Sequence, residues 1–141
     1  MGISKGSAHW EGGLKDGKGA MTPEHAPEAV FSLGSRFEGQ RGSSPEELIG
    51  AALSGCFSMA LTLGLETAGL HPKSVRTSAS VRLEKDGPGF SITGIELATE
   101  ASVPGANNEQ FQKIAEETKK GCPVSRALAG ARITLKATLA S

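Results

Sequence analysis

Ser44-Pro45-Glu46-Glu47-Leu48-Ile49-Gly50-Ala51-Ala52-Leu53-Ser54-Gly55-Cys56-Phe57-Ser58-Met59-Ala60-Leu61-Thr62-Leu63-Gly64-Leu65 reads as one long helix. Ser44 suits the N-cap, Pro45 the first helical position, where no N–H is needed, and Glu47 the third, a capping box of the form Ser-x-x-Glu. The spacing predicts a helix to about Ala68, stopped by Gly69 in the left-handed conformation and by Pro72 shortly after. Its apolar residues fall on nearly every face, so burial is expected on nearly every side. From Ile49 to Leu65 it reaches only the roughly 17-residue lower limit of a membrane span, and polar or small residues such as Ser54, Ser58 and Thr62 interrupt it. A buried helix fits better.

On the N-terminal side, Ser7 to Glu11, Gly19 to Thr22 and Ala29 to Leu33 are short segments separated by Gly12-Gly13, Asp16-Gly17 and Pro23. This is the pattern of an antiparallel meander. Residues 34–44 read as a strand fragment around Phe37 followed by a loop. On the C-terminal side, Val75 to Leu83 alternates, Lys85-Asp86-Gly87-Pro88-Gly89 supplies a hairpin turn, and Phe90 to Val103 alternates again with a slip near Thr93-Gly94 that suits a bulge. Asn107 or Asn108 caps a helix that ends at Gly121, Cys122-Pro123 opens a short helix through Leu128, and Ile133 to Leu139 alternates as a last strand. The expected architecture is α+β in a single domain, 1–141: a meander, a long buried central helix, a hairpin, two further helices and a final strand.

Composition narrows the function. At 141 residues and 38% hydrophobic content the chain can bury a core without covalent staples. Its 15 basic and 15 acidic side chains cancel and form no long like-charged run, which argues against a nucleic-acid surface or a polybasic membrane anchor. Met1 to Gly19 carries no apolar signal-peptide core, and Gly6 stands where a myristoylation motif needs Ser or Thr. The expectation is a cytoplasmic protein.

Two cysteines are the whole thiol inventory, too few for a disulfide framework. Cys56 lies mid-helix, where burial raises a thiol's pKa and the helix dipole does not reach, so a nearby cation has to generate its thiolate. Arg36 is one candidate, and a solvated loop arginine is the other reading of it. Glu46 either complements the helix dipole or anchors such an arginine. The rise from Glu46 to Cys56 along one helix is about 15 Å, too far for a single site. Two helices packed antiparallel about a two-fold axis near residue 51 would bring Glu46 of one beside Cys56 of the other, with Gly50, Ala51 and Ala52 permitting close approach. Cys122, ahead of Pro123, sits at an N-cap that favours a thiolate; a buried small hydrophobe is the alternative reading.

Four ordered blocks give these pieces an arrangement: Arg36-Phe37-Glu38-Gly39, Ser44 to Ala52, Cys56-Phe57-Ser58-Met59-Ala60-Leu61, and Gly121-Cys122-Pro123-Val124-Ser125. With the opening Ala8-His9-Trp10-Glu11-Gly12 they resemble the OsmC/Ohr peroxidases. The OsmC branch is the nearer, since the stretch Gly12 to Gly17 lacks the meander arginine of the organic-hydroperoxide branch. The resemblance implies an OsmC-like fold, an intertwined homodimer with sites at its interface, and a thiol peroxidase without haem, flavin or metal. It makes Cys56 the peroxidatic thiol, Cys122 the resolving thiol that forms a disulfide with it, Arg36 the stabiliser of the thiolate and Glu46 the acid orienting Arg36. It also implies an organic hydroperoxide or hydrogen peroxide as substrate, an external dithiol of lipoyl type as reductant, and a role in oxidative or osmotic stress. Phe37, Phe57 and Met59 are candidate pocket residues.

Two rival readings remain. A zinc site built from Cys56, Cys122 and His9, His25 or His71 lacks the close ligand pairs such sites show. A non-catalytic redox sensor or binding module needs the same activated thiol and partner, and only turnover separates it from a peroxidase.

Overall fold

Pro45 starts the central helix because the residue before it, Ser44, accepts the Glu47 N–H at 3.1 Å. The reciprocal half of the expected capping box is replaced: the Glu47 carboxylate accepts from Ser43 Oγ at 3.0 Å. The computed structural model describes residues 2–140, so Met1 and Ser141, the ends of the expected 1–141 domain and of its N-terminal reading, lie outside the described residues. Among these, the order is β1 (Gly6–Glu11), β2 (Lys18–Pro23), β3 (Ala29–Phe31), α1 (Leu33–Phe37), α2 (Pro45–Thr67), β4 (Ser74–Asp86), β5 (Gly89–Ser102), α3 (Asn108–Gly121), α4 (Pro123–Ala127) and β6 (Arg132–Ala140). The chain divides into two compact units between Leu48 and Ile49, and α2 runs unbroken through that boundary.

The first unit is the antiparallel meander β1-β2-β3 with α1. The segment around Phe37, expected as a strand fragment, is the helical turn α1. The cause is local: Ser32 Oγ accepts the Ser35 N–H and Ser35 Oγ accepts the Ser32 N–H, a reciprocal cap built from two serines. Ser35 Oγ also donates to Ser43 O at 2.7 Å, which ties the loop before α2 to α1.

In the second unit β5 pairs antiparallel with β4 and parallel with β6. The hairpin bulges where expected, since Arg82 faces Gly94 while Leu83 faces Ile92 and Thr93 is left over. A parallel partner for β5 requires a crossover, and α3 and α4 provide it. Asn107 Oδ1 caps α3 by accepting the Gln110 N–H at 2.8 Å.

The core lies between this sheet and the helices. Leu53, Phe57, Leu61 and Leu65, one i, i+4 stripe of α2, are sealed with Ile95, Leu97 and Ala101 of β5 and with Phe111 and Ala115 of α3. Polar side chains cross the layer in a relay: Ser58 Oγ donates to Thr77 Oγ1 at 2.8 Å, which meets Thr99 Oγ1 at 2.9 Å. Gly50 faces this sheet, where an added Cβ would meet Ala79 and Val81 at 3.4 Å. Its small size therefore serves β4 and not, as expected, a second helix. Burial on nearly every side of α2 is likewise not seen within one chain, because Met59 and Leu63 are 78% and 67% exposed. Gly69 closes the helix at φ 82° as expected.

Phe57 is fully buried at the centre of the stripe. Phe57→Ala is expected to lower unfolding stability by about 3–5 kcal/mol in a denaturant titration.

Candidate active site

The two cysteines, far apart in sequence, meet in the second unit. The crossover that leaves β5 after Ser102 and runs through α3 returns Cys122, at the start of α4, to the middle of α2, and the Cys122 thiol donates to Cys56 Sγ across 2.7 Å. Both sulfurs are free thiols in this structure. Cys122 is 1% exposed, while Cys56 is half-buried and opens on a pocket of about 800 Å³. Met59, Leu63, Val75 and Pro123 make its walls apolar, and Glu66 and Lys73 add the charge. Of the three apolar residues expected there, Met59 lines the pocket. Phe57 points into the core instead, because its place on the Leu53–Leu65 stripe turns it to the sheet, and Phe37 belongs to the first unit.

Burial pushes the Cys56 pKa up, and the hydrogen bond with Cys122 pushes it further; the Val124 N–H works the other way. Among the described residues no cation contributes to this shift. Cys122 moves downward. Burial opposes that, but the bond with Cys56, the N–H and hydroxyl of Ser125, and the Val124 N–H together outweigh it. Ionising Cys122 reverses the donation between the sulfurs, so the pair shares one easily lost proton.

Arg36 and Glu46 pair with each other in the first unit. Arg36 Nε donates to Glu46 Oε1 at 2.9 Å and an η-nitrogen donates to Oε2 at 2.8 Å, a two-pronged bond that fixes the guanidinium plane. These bonds hold the Arg36 pKa above its ordinary value against the opposing effect of burial. Glu46 is 7% exposed, whereas the Arg36 side chain keeps 36% of its surface open. The guanidinium also stacks 5.2 Å from the Phe37 ring centroid. Helix α1 makes this possible by turning Arg36 back toward the first turn of α2. The same guanidinium borders a small recess of about 260 Å³ walled by Trp10, Leu14, Phe31 and Phe37. Sequence reasoning did not find this recess; Trp10 of β1 and Phe31 of β3 flank Gly19 of the intervening β2, and their ring centroids lie 5.4 Å apart.

Ser125 was also missed as a site residue. Its hydroxyl is the one buried side-chain oxygen among the described residues without a hydrogen-bond partner, and its burial follows from the short α4, a feature that periodicity does not reveal.

Residues 37–137 match the family described as OsmC-like protein. The chain belongs to the OsmC-like family. Over 139 residues it is 48% identical to Peroxiredoxin OsmC of Escherichia coli, covering 97% of this chain and 96% of that one. It is 24% identical over 111 residues to Organic hydroperoxide resistance protein-like 1 of Staphylococcus saprophyticus, covering 78% of each. The OsmC-like protein of Mycoplasma pneumoniae shares its fold at a TM-score of 0.78, with 14% identity and 99% of both chains covered.

Removing Cys122 takes away two of the three influences that raise the Cys56 pKa, its hydrogen bond and its charge, and leaves burial. In Cys122→Ala the pH dependence of Cys56 alkylation by iodoacetamide is expected to shift to lower pH; an unchanged profile would contradict the coupling.

Proposed function

We propose that this OsmC-like protein reduces hydroperoxides through Cys56 and Cys122. It is a cysteine-based peroxidase, the class named for its 48%-identical relative. The observation that carries the residue assignment is the 2.7 Å contact between a pocket-facing sulfur and a buried one.

The Cys56 thiolate attacks the terminal peroxide oxygen. The O–O bond breaks, the other oxygen leaves with a proton as alcohol or water, and Cys56 becomes a sulfenic acid. Cys122, whose pKa is held down, attacks Cys56 Sγ; the hydroxyl departs as water and a disulfide forms. A thiol reductant restores the dithiol, and a lipoyl-type dithiol suits the largely apolar pocket. The same apolar walls favour organic hydroperoxides over hydrogen peroxide.

The activating cation comes from a second copy. Among the described residues of one chain nothing positive lowers the Cys56 pKa, while Arg36 is held rigid by Glu46 with an open face. Two α2 helices packed antiparallel near residue 51 bring the partner subunit's Arg36 to Cys56. Ala51 and Ala52 are exposed, and Gly55 has open space at its Cβ position, so this face of α2 permits close approach. The dimer also covers Met59 and Leu63, which accounts for apolar residues on nearly every side of a helix that is apolar enough to cross a membrane. To the same reading belong a cytoplasmic location, a role in oxidative or osmotic stress, and a chain that forms a single domain.

A turnover assay with cumene hydroperoxide and a dithiol tests the reading. The wild type consumes peroxide repeatedly, Cys56→Ser not at all, and Cys122→Ser for a single oxidation. Stoichiometric oxidation of the wild type without further turnover would favour a redox sensor.

A further inference from the structure

The second half of the cycle, the reopening of the disulfide, has an asymmetric chemistry that the pair itself does not explain. A dithiol entering the pocket reaches only Cys56, since Cys122 is 1% exposed and does not line the pocket. Attack on Cys56 Sγ forms a mixed disulfide there and breaks the Cys56–Cys122 bond, and the electron pair of that bond goes to Cys122 Sγ. The reductant's second thiolate then closes on its own bound sulfur and releases Cys56. Two electrons pass from the dithiol, which departs as a cyclic disulfide, and its two protons end on the enzyme thiols. The speed of the first step depends on how well Cys122 accommodates charge as the leaving group.

Ser125 is the third residue of α4, one helical turn from Cys122 at the N-cap. It is 4% exposed, and in the dithiol state its hydroxyl closes no hydrogen bond. A buried hydroxyl normally finds a partner, and one left vacant marks either strain or a partner that exists only at another stage of the reaction. We propose that Ser125 is a further catalytic residue whose hydroxyl donates to Cys122 Sγ as that sulfur becomes the leaving thiolate. The same hydroxyl is among the groups that draw the Cys122 proton off more easily, with the N–H groups of Ser125 and Val124. The vacancy is thereby explained: a neutral Cys122 gives its proton to Cys56 and is a poor acceptor, whereas the thiolate accepts a charge-assisted bond. Ser125 thus acts in reduction of the disulfide and fixes which sulfur leaves.

This inference rests on the Cys56–Cys122 disulfide proposed above, and its test separates the two. The disulfide is formed with one equivalent of cumene hydroperoxide in wild type, Ser125→Ala and Ser125→Thr. The rate of its formation and the rate of its reduction by dithiothreitol are followed by quenching and mass spectrometry. In Ser125→Ala the ratio of reduction rate to oxidation rate is expected to fall about tenfold, and Ser125→Thr to restore it. The equilibrium with dithiothreitol shifts the same way, toward the disulfide. An unchanged ratio, or both rates falling together, would overturn the role of Ser125. A wild type that forms no Cys56–Cys122 disulfide would instead remove the reading on which it stands.

Discussion

A thiol halfway along a 23-residue helix is costly to ionise, and the rest of this site follows from that cost. The amide dipoles at the helix end are too far away to help, and the apolar layer around Cys56 disfavours a charge. Within its own chain the strongest influences on Cys56 raise its pKa. A peroxidase built on this sulfur must import a positive charge and must protect the oxidised sulfur with a second thiol.

The chain meets these needs in separate places. Cys122 is brought from a distant part of the sequence by the crossover that gives β5 its parallel neighbour, so a topological requirement of the sheet also delivers the thiol proposed to resolve Cys56. Arg36 is locked to a buried Glu46 on the first turn of the same helix that carries Cys56. Along that helix the two carboxyl and thiol positions are about 15 Å apart, and a straight rod cannot fold them together. The second, antiparallel copy proposed above would resolve the conflict and would cover the apolar Met59 and Leu63 face in the same step.

Much of this was legible in the sequence because the signals are local. Ser44, Pro45 and Gly69 carry the chemistry of helix ends, and the ends of α2 fell where they indicate. The bulge at Thr93 showed as a break in alternation. Helix α1 did not show, because its cap pairs Ser32 with Ser35, where the usual signature has a carboxylate or amide at the second position. The role of Gly50 was misjudged since spacing alone does not say whether a small residue meets a sheet or a helix. Among site residues, Cys56 and Arg36 drew attention through charge and thiol chemistry, whereas the pairing of Cys56 with Cys122 came from family resemblance. Ser125 was invisible, since nothing in Cys122-Pro123-Val124-Ser125 announces which hydroxyl will be buried.

The claim on which this account turns is that one chain's thiol is activated by the other chain's arginine. Mixing Arg36→Ala and Cys56→Ser subunits after reversible dissociation measures it directly. Each parent lacks either the cation or the thiol, but the mixed dimer holds one complete site, formed by Cys56 of the first and Arg36 of the second. The account predicts recovery of about a quarter of the wild-type peroxidase rate from an equimolar statistical mixture. Mixed dimers no more active than the parents would contradict it.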